Sequence, residues 1–224
     1  MSFKSYPMHF EPILKENIWG GHKLKSVLGK PAAVDNVGES WELSTVPGSV
    51  SIIANGAYES ESLQHLIDRF PVEILGESVF KQFGNQFPLL FKFIDAKDDL
   101  SIQVHPSDEL AKQRHNSFGK TEMWYILEAD PGANLIIGFK GDASADQYLH
   151  HLENQSLPEI LNQFPVLPGD VYFLETGTIH SIGAGILLAE IQQTSDITYR
   201  IYDFDRVGSD GKKRELHIDQ AIDA

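Results

Sequence analysis

Cysteine is absent from this chain of 224 residues. Disulfides, thiolate metal sites and cysteine nucleophiles are therefore excluded together, and the cytosol is the expected compartment. Basic residues are scarce: 18 Lys and Arg face 32 Asp and Glu, a net charge of −14. So acidic a chain repels polyphosphate backbones and anionic lipid, and neither nucleic acid nor membrane is an expected partner. No apolar run reaches the roughly 18 residues a membrane-spanning helix needs. The opening residues, from Met1 to Phe10, lack the hydrophobic stretch of a signal peptide. Internal repeats, low-complexity tracts and long Gly/Ser/Pro linkers are missing as well.

What remains is a globular composition, 42% hydrophobic and 10% aromatic, sufficient for a sizeable core. The 18 glycines and 11 prolines are dispersed, as many short strands joined by turns require. Runs rich in Val, Ile, Phe and Tyr predict strands over 50–53, 89–94, 100–105, 122–127, 135–139, 171–174, 186–191 and 197–202. Leu63, Leu66, Ile67 and Phe70 fall at helical spacing behind Ser60 and Ser62, with Pro71 as a stop. Leu157, Ile160, Leu161 and Phe164 repeat that spacing ahead of Pro165. With shorter helical turns over 73–83 and 145–152, the expectation is helical inserts near 59–86 and 143–164. Residues 214–222 read as the start of another helix. The fold class expected is mainly β, an antiparallel sandwich or barrel with short helical inserts.

Several polar residues sit where strands should be apolar. In Ser101-Ile102-Gln103-Val104-His105, side-chain alternation sends Ile102 and Val104 one way and the three polar groups the other. That polar row faces either solvent or a polar cavity. Glu122 opens an apolar strand and shares a face with Trp124 and Ile126; it is either a solvated end residue or a ligand facing inward. A turn bounded by Gly177 and Gly183 carries His180. Glu190 lies within Ile186-Leu187-Leu188-Ala189-Glu190-Ile191, and Lys92 within Leu89-Leu90-Phe91-Lys92-Phe93-Ile94. Such charges are costly unless paired or metal-bound, edge strands excepted. Arg200 lies between Tyr199 and Tyr202.

Gln103, His105, Glu122 and His180 offer an amide, two imidazoles and a carboxylate. This donor set suits zinc or another borderline divalent ion, and N and O ligands with room for water are the catalytic type of site. If the substrate carries phosphate, local cations must offset the acidic field of the whole chain.

The ordered set Ser101-Ile102-Gln103-Val104-His105-Pro106, Lys120-x-Glu122, Gly177-Thr178-Ile179-His180 and Ser195-Asp196-x-x-x-Arg200 resembles type I mannose-6-phosphate isomerase (phosphomannose isomerase). The segment 177–183 also resembles the second motif of cupins in general. The likeness runs from Trp19-Gly20-Gly21 through Arg206. It implies a cupin-type jelly-roll barrel and one zinc ion per chain, held by Gln103, His105, Glu122 and His180. It places Ser101, Lys92, Lys120 and Arg200 at the substrate, and Arg200, Glu190 and Lys120 as catalytic residues. The implied reaction interconverts mannose 6-phosphate and fructose 6-phosphate through a cis-enediol. The base expected is Glu190, because burial raises a carboxyl pKa; a zinc-bound water and Lys120 are the alternatives. One departure stands out: many members carry His-Lys-Pro-Glu where this chain has Gly119-Lys120-Thr121-Glu122. Members also carry a further C-terminal β domain, expected to be absent here, so 1–224 is expected to form a single catalytic cupin domain. The competing readings are another metal-dependent cupin enzyme, for example one using Fe(II), a non-catalytic sugar-phosphate-binding cupin, and a structural sandwich with satisfied core histidines.

Overall fold

The structure is a computed structural model and describes residues 2–208 and 211–224. The described residues form thirteen strands and seven short α-helices. The strands are β1 (Ile13–Gly21), β2 (Val37–Leu43), β3 (Thr45–Val46), β4 (Ser49–Val50), β5 (Leu89–Ala96), β6 (Ile102–Val104), β7 (Glu122–Ala129), β8 (Asn134–Phe139), β9 (Leu161–Pro165), β10 (Val171–Leu174), β11 (His180–Ile182), β12 (Ile186–Gln193) and β13 (Tyr199–Tyr202). The helices are α1 (Lys23–Ser26), α2 (Leu63–Arg69), α3 (Pro71–Leu75), α4 (Glu77–Phe83), α5 (Asp108–His115), α6 (Ala145–Glu153) and α7 (Ile218–Ile222). No helix among the described residues is long and apolar enough to cross a membrane.

Two antiparallel sheets make the body. One has the order β1-β2-β5-β12-β7-β10, the other β13-β6-β11-β8-β9. Their shared core joins Trp19, Ile94, Trp124, Ile126, Leu174 and Leu188 of the larger sheet to Leu135 and Ile182 of the smaller. No pairing among the described residues links the two sheets into one continuous barrel. The outer face of the smaller sheet is covered by a second apolar cluster, in which Ile102, Val104 and Ile201 pack with Tyr148, Leu157 and Leu161. The polar row of Ser101, Gln103 and His105 therefore faces the space between the sheets rather than solvent, and Ser101 and His105 are buried.

Local chemistry explains the helices. The Ser62 hydroxyl accepts from the His65 amide, 3.2 Å away, and starts α2, while Pro71 opens α3 rather than lying in a loop. α6 begins in a capping box formed by Ser144 and Gln147.

The second expected helix is not found as drawn. Leu157–Ile160 is a single 3-10 turn, and Leu161–Pro165 is β9, paired with β8. Leu157 and Leu161 are fully buried whereas Phe164 is 41% exposed, so these four residues do not form one apolar stripe. A 3-10 turn running into a strand had mimicked helical periodicity. The α-helix of this insert lies earlier, at Ala145–Glu153. Within 50–53 only Val50 belongs to a strand, the end of β4, and Ile52 and Ile53 make isolated bridges.

Candidate active site and metal centre

The inward rows of the strands change character along their length. On β7 the row Ile126, Trp124 belongs to the shared core and ends at Glu122; on β12 Ile186 and Leu188 lead to Glu190; on β5 Ala96 and Ile94 lead to Lys92. Period-two alternation puts each charge on the core-facing side. From the opposite sheet, His180 precedes Ile182 on β11, and Gln103 on β6 pairs with His180 on one side and Arg200 of β13 on the other. One end of the intersheet space is thus apolar and the other is ionic.

His105, Glu122 and His180 converge there, with one ligand atom from each lying within 4.8 Å of the others. All three are buried. The His105 Nδ1 lies 2.9 Å from the Ile197 carbonyl and the His180 Nδ1 lies 2.8 Å from the Thr178 carbonyl. A carbonyl can only accept, so both Nδ1 atoms carry the proton and both Nε2 atoms present lone pairs inward. The loop carrying His180 is shaped by Gly177, at φ 80°, whose N–H donates to the His105 carbonyl at 2.9 Å. That φ is one only glycine adopts without strain, so the turn binds the two histidine segments together.

The donor geometry suits a cation. His180 Nε2 stands 3.2 Å from Glu122 Oε1, an oxygen that is buried and has no hydrogen-bond partner. His105 Nε2 is 3.6 Å from Glu122 Oε2. Lone pairs facing one another at such distances are unfavourable unless a cation joins them. The Gln103 carboxamide lies 3.3 Å from His180 Nε2, and its oxygen reaches the same point after a half-turn. In this structure the Lys120 ammonium contacts Glu122 Oε2 and lies 3.1 Å from His105 Nε2, standing in for part of that positive charge. The four residues fit a divalent ion of the zinc type.

Around this cluster runs a chain of buried ion pairs. Lys92 Nζ is 2.9 Å from Glu190 Oε1 and 3.4 Å from Glu39 Oε1, and Lys120 Nζ is 3.7 Å from Glu190 Oε1. The Trp124 indole N–H donates to Glu190 Oε2 at 2.8 Å. Burial, reinforced by the Lys120 ammonium, lowers the His105 pKa, and burial likewise pulls His180 down to about 4, so both rings are neutral near pH 7. Three carboxylates then oppose two ammoniums, a surplus of one negative charge that a divalent ion would reverse.

Glu190 departs from expectation. Burial does push its pKa up, but Lys120 and Lys92 outweigh burial and hold the carboxyl below the ordinary range. Glu122 is the carboxyl that is raised, by burial and by the Glu190 charge, despite Lys120. The apolar run around Glu190 makes its burial legible in the sequence, but not Lys92 across the strand pair or Lys120 just ahead of β7.

A cavity of about 170 Å³ opens above the cluster, lined by Lys92, Ser101, Gln103, Lys120, Glu190 and Arg200. Six of the residues singled out in the sequence thus line this cavity, and His105, Glu122 and His180 adjoin it through their contacts with Lys120 and Gln103. Arg200 comes in on β13, its backbone N–H donating to His217 Nδ1 at 3.1 Å and its Nη1 to the Glu215 carbonyl at 2.9 Å. Three neighbours were not anticipated: Glu39, Trp124 as a donor to Glu190, and Arg214 on the cavity wall. Arg214 lies in the segment read only as a helix start, and Glu39 in a strand with no sequence signal of its own.

Comparison with known proteins agrees with this geometry. The family model "Phosphomannose isomerase type I, catalytic domain" matches residues 8–131. Mannose-6-phosphate isomerase of Streptococcus mutans is 39% identical over 217 residues, covering 97% of this chain and 67% of that protein. Mannose-6-phosphate isomerase ManA of Bacillus subtilis is 39% identical over 219 residues, with 97% and 67% covered. The crystal structure of a mannose 6-phosphate isomerase from Bacillus subtilis superposes with a TM-score of 0.92 at 37% identity, over 98% of this chain and 68% of that one. The chain spans about two thirds of the length of these relatives. Fold, motif order and sequence together place this chain in the type I phosphomannose isomerase family.

Proposed function

We propose that this chain is a zinc-dependent isomerase that interconverts mannose 6-phosphate and fructose 6-phosphate through a cis-enediol. The observation that carries the reading is the convergence of His105, Glu122 and His180 beneath a cavity walled by Lys92, Lys120 and Arg200. The names of the relatives give the substrate.

Moving a hydrogen between C1 and C2 requires breaking a weakly acidic C–H bond, so negative charge develops on the neighbouring oxygens. Gln103, His105, Glu122 and His180 would hold a zinc ion, which when bound would supply electrostatic stabilisation of that oxygen charge. Arg200 presents a permanently charged planar group to the same oxygens from β13. Glu190 and Lys120 form one acid–base unit across 3.7 Å: a proton accepted from one carbon is returned to the other from the same pair. Lys92 fixes Glu190 in place, and Ser101 offers a hydroxyl to the sugar. Because the ligands come from both sheets, neither sheet can serve alone, and the two act as one catalytic unit.

The test is a coupled isomerase assay on the 224-residue chain. Turnover of mannose 6-phosphate that a chelator abolishes and zinc restores is the expected result. Tight sugar-phosphate binding without turnover would overturn the assignment.

A further inference from the structure

Lys92 and Lys120 already have carboxylate partners. Glu39 and Glu190 flank Lys92 within 3.4 Å, and Glu122 contacts Lys120. Neither ammonium is free to neutralise a phosphate dianion without giving up a buried partner, which is costly. On another part of the cavity wall and just behind it, cations outnumber their buried carboxylate partners.

Asp203, just past β13, is buried, with 5% of its surface exposed. Arg214 forks onto it: Nε donates to Oδ2 at 2.7 Å and Nη2 donates to Oδ1. Arg206 donates to Oδ1 through Nη2 at 2.5 Å and to the Asp99 carbonyl through Nη1. Arg200 and Arg214 both line the cavity, and Arg200 Nε is buried without a partner. Arg206 and Arg214 therefore share one buried carboxylate, while Arg200 donates to a backbone carbonyl and leaves its buried Nε without a partner. The remaining acids, Asp196 on the cavity wall and Glu215 beside Arg200, are exposed and screened by solvent. Consistent with a positive surplus, the Arg200 pKa is lowered, first by burial and next by Arg214 and Arg206. Self-repulsion of this kind is relieved when an anion enters, and a guanidinium held flat by a two-point carboxylate fork is preorganised to bind one.

We propose that Arg214 binds the phosphate of the sugar phosphate, and that Asp203 is the positioning residue that holds Arg214 to the cavity wall. This deepens the isomerase reading and rests on it: the phosphate lies on the arginine side while C1 and C2 face the metal cluster. Lys92, Lys120 and Arg200 then serve the reacting end, and Arg214 supplies the local cation that a phosphate needs against a net charge of −14.

The test is steady-state kinetics of the full chain with mannose 6-phosphate, with inorganic phosphate as competitive inhibitor. Arg214→Gln raises KM at least tenfold while kcat falls by a much smaller factor, and inorganic phosphate loses potency by a similar factor. Asp203→Asn raises KM by a lesser amount with the same pattern. If Arg214→Gln does not fold, Arg214→Lys, which keeps the charge and loses the fork, decides the matter with an intermediate rise in KM. A folded Arg214 variant with KM and phosphate inhibition within twofold of wild type overturns the proposal, and so does a loss confined to kcat. If the wild-type chain proves inactive, the isomerase reading has failed; titration of wild type and Arg214→Lys with inorganic phosphate still tests the phosphate site, equal affinities overturning it.

Discussion

Glu190 on β12 stands directly opposite Lys92 on β5 in the strand register, and their charged atoms meet at 2.9 Å inside the protein. Trp124, opposite Glu190 on the other side, closes the arrangement with its indole N–H. A carboxylate so placed has both flanks fixed and its charge held by neighbours. Glu190→Gln keeps the shape and removes that charge. We expect kcat to fall about 10²- to 10⁴-fold, the range general acid–base groups contribute, with bound zinc unchanged by elemental analysis. Wild-type kcat would remove Glu190 from the mechanism.

His180→Ala deletes the lone pair 3.2 Å from Glu122 Oε1. Bound zinc should drop to a small fraction of one per chain, and activity with it. Ligand-linked stability should vanish in parallel. Wild-type protein should gain about 2.7 kcal/mol when zinc is present at 100 times its Kd, whereas the variant's melting temperature should not respond to zinc at all.

Arg200→Ala separates chemistry from metal binding. Its guanidinium is tied to the Glu215 carbonyl and not to any of the four ligand residues. The variant should retain zinc and lose kcat by a hundredfold or more, the scale of deleting one donor to a developing oxyanion. Loss of zinc instead would show that Arg200 maintains the cluster.

Trp124→Phe removes the hydrogen bond to Glu190 Oε2 from a fully buried side chain. An orphaned buried acceptor costs about 1–3 kcal/mol, which urea denaturation should report, and kcat should fall as Glu190 loses one of its fixed contacts.

Asp203 ties stability to acid. Burial raises its pKa, but hydrogen bonds from Arg214 and Arg206 more than reverse this and leave it lowered. A carboxyl whose folded pKa is depressed stabilises fully above its unfolded pKa, about 3.9, and progressively less as pH falls through the folded value. Wild type should therefore exceed Asp203→Asn in urea midpoint at pH 7, and the gap should narrow below about pH 4. A gap that is constant across this range would rule out the charge as its origin.

The readable part of the sequence was the part with strong alternation. The apolar runs around Ile94, Ile126 and Leu188 declared strands, and the charges that interrupted them marked the site. β1 and β2 escaped notice because they are rich in polar residues and glycine, and because their pairing is irregular. Their glycines serve close backbone approach: a side chain on Gly20 would stand 2.5 Å from the Gly38 nitrogen. Helix α5 was also unseen. It is polar on nearly every face and buries only Ala111, although Ser107 followed by Asp108 and Glu109 is a readable start signal. The ion pairs of Glu39 and Asp203 depend on strand neighbours and loop returns distant along the chain, which no local pattern encodes. The error over Glu190 has the same origin: burial was visible locally, the partner lysines were not.

The cluster draws Glu122 from one sheet and His180 and Gln103 from the other, so an ion seated there acts as a rivet between two leaves that oil alone holds together at their opposite end. Without the ion, the lone pairs of Glu122 and His180 face one another across that seam with no cation to join them. The amides bordering that seam on β6 and β11 would then loosen first, and the cofactor would hold the architecture together as well as serve the chemistry.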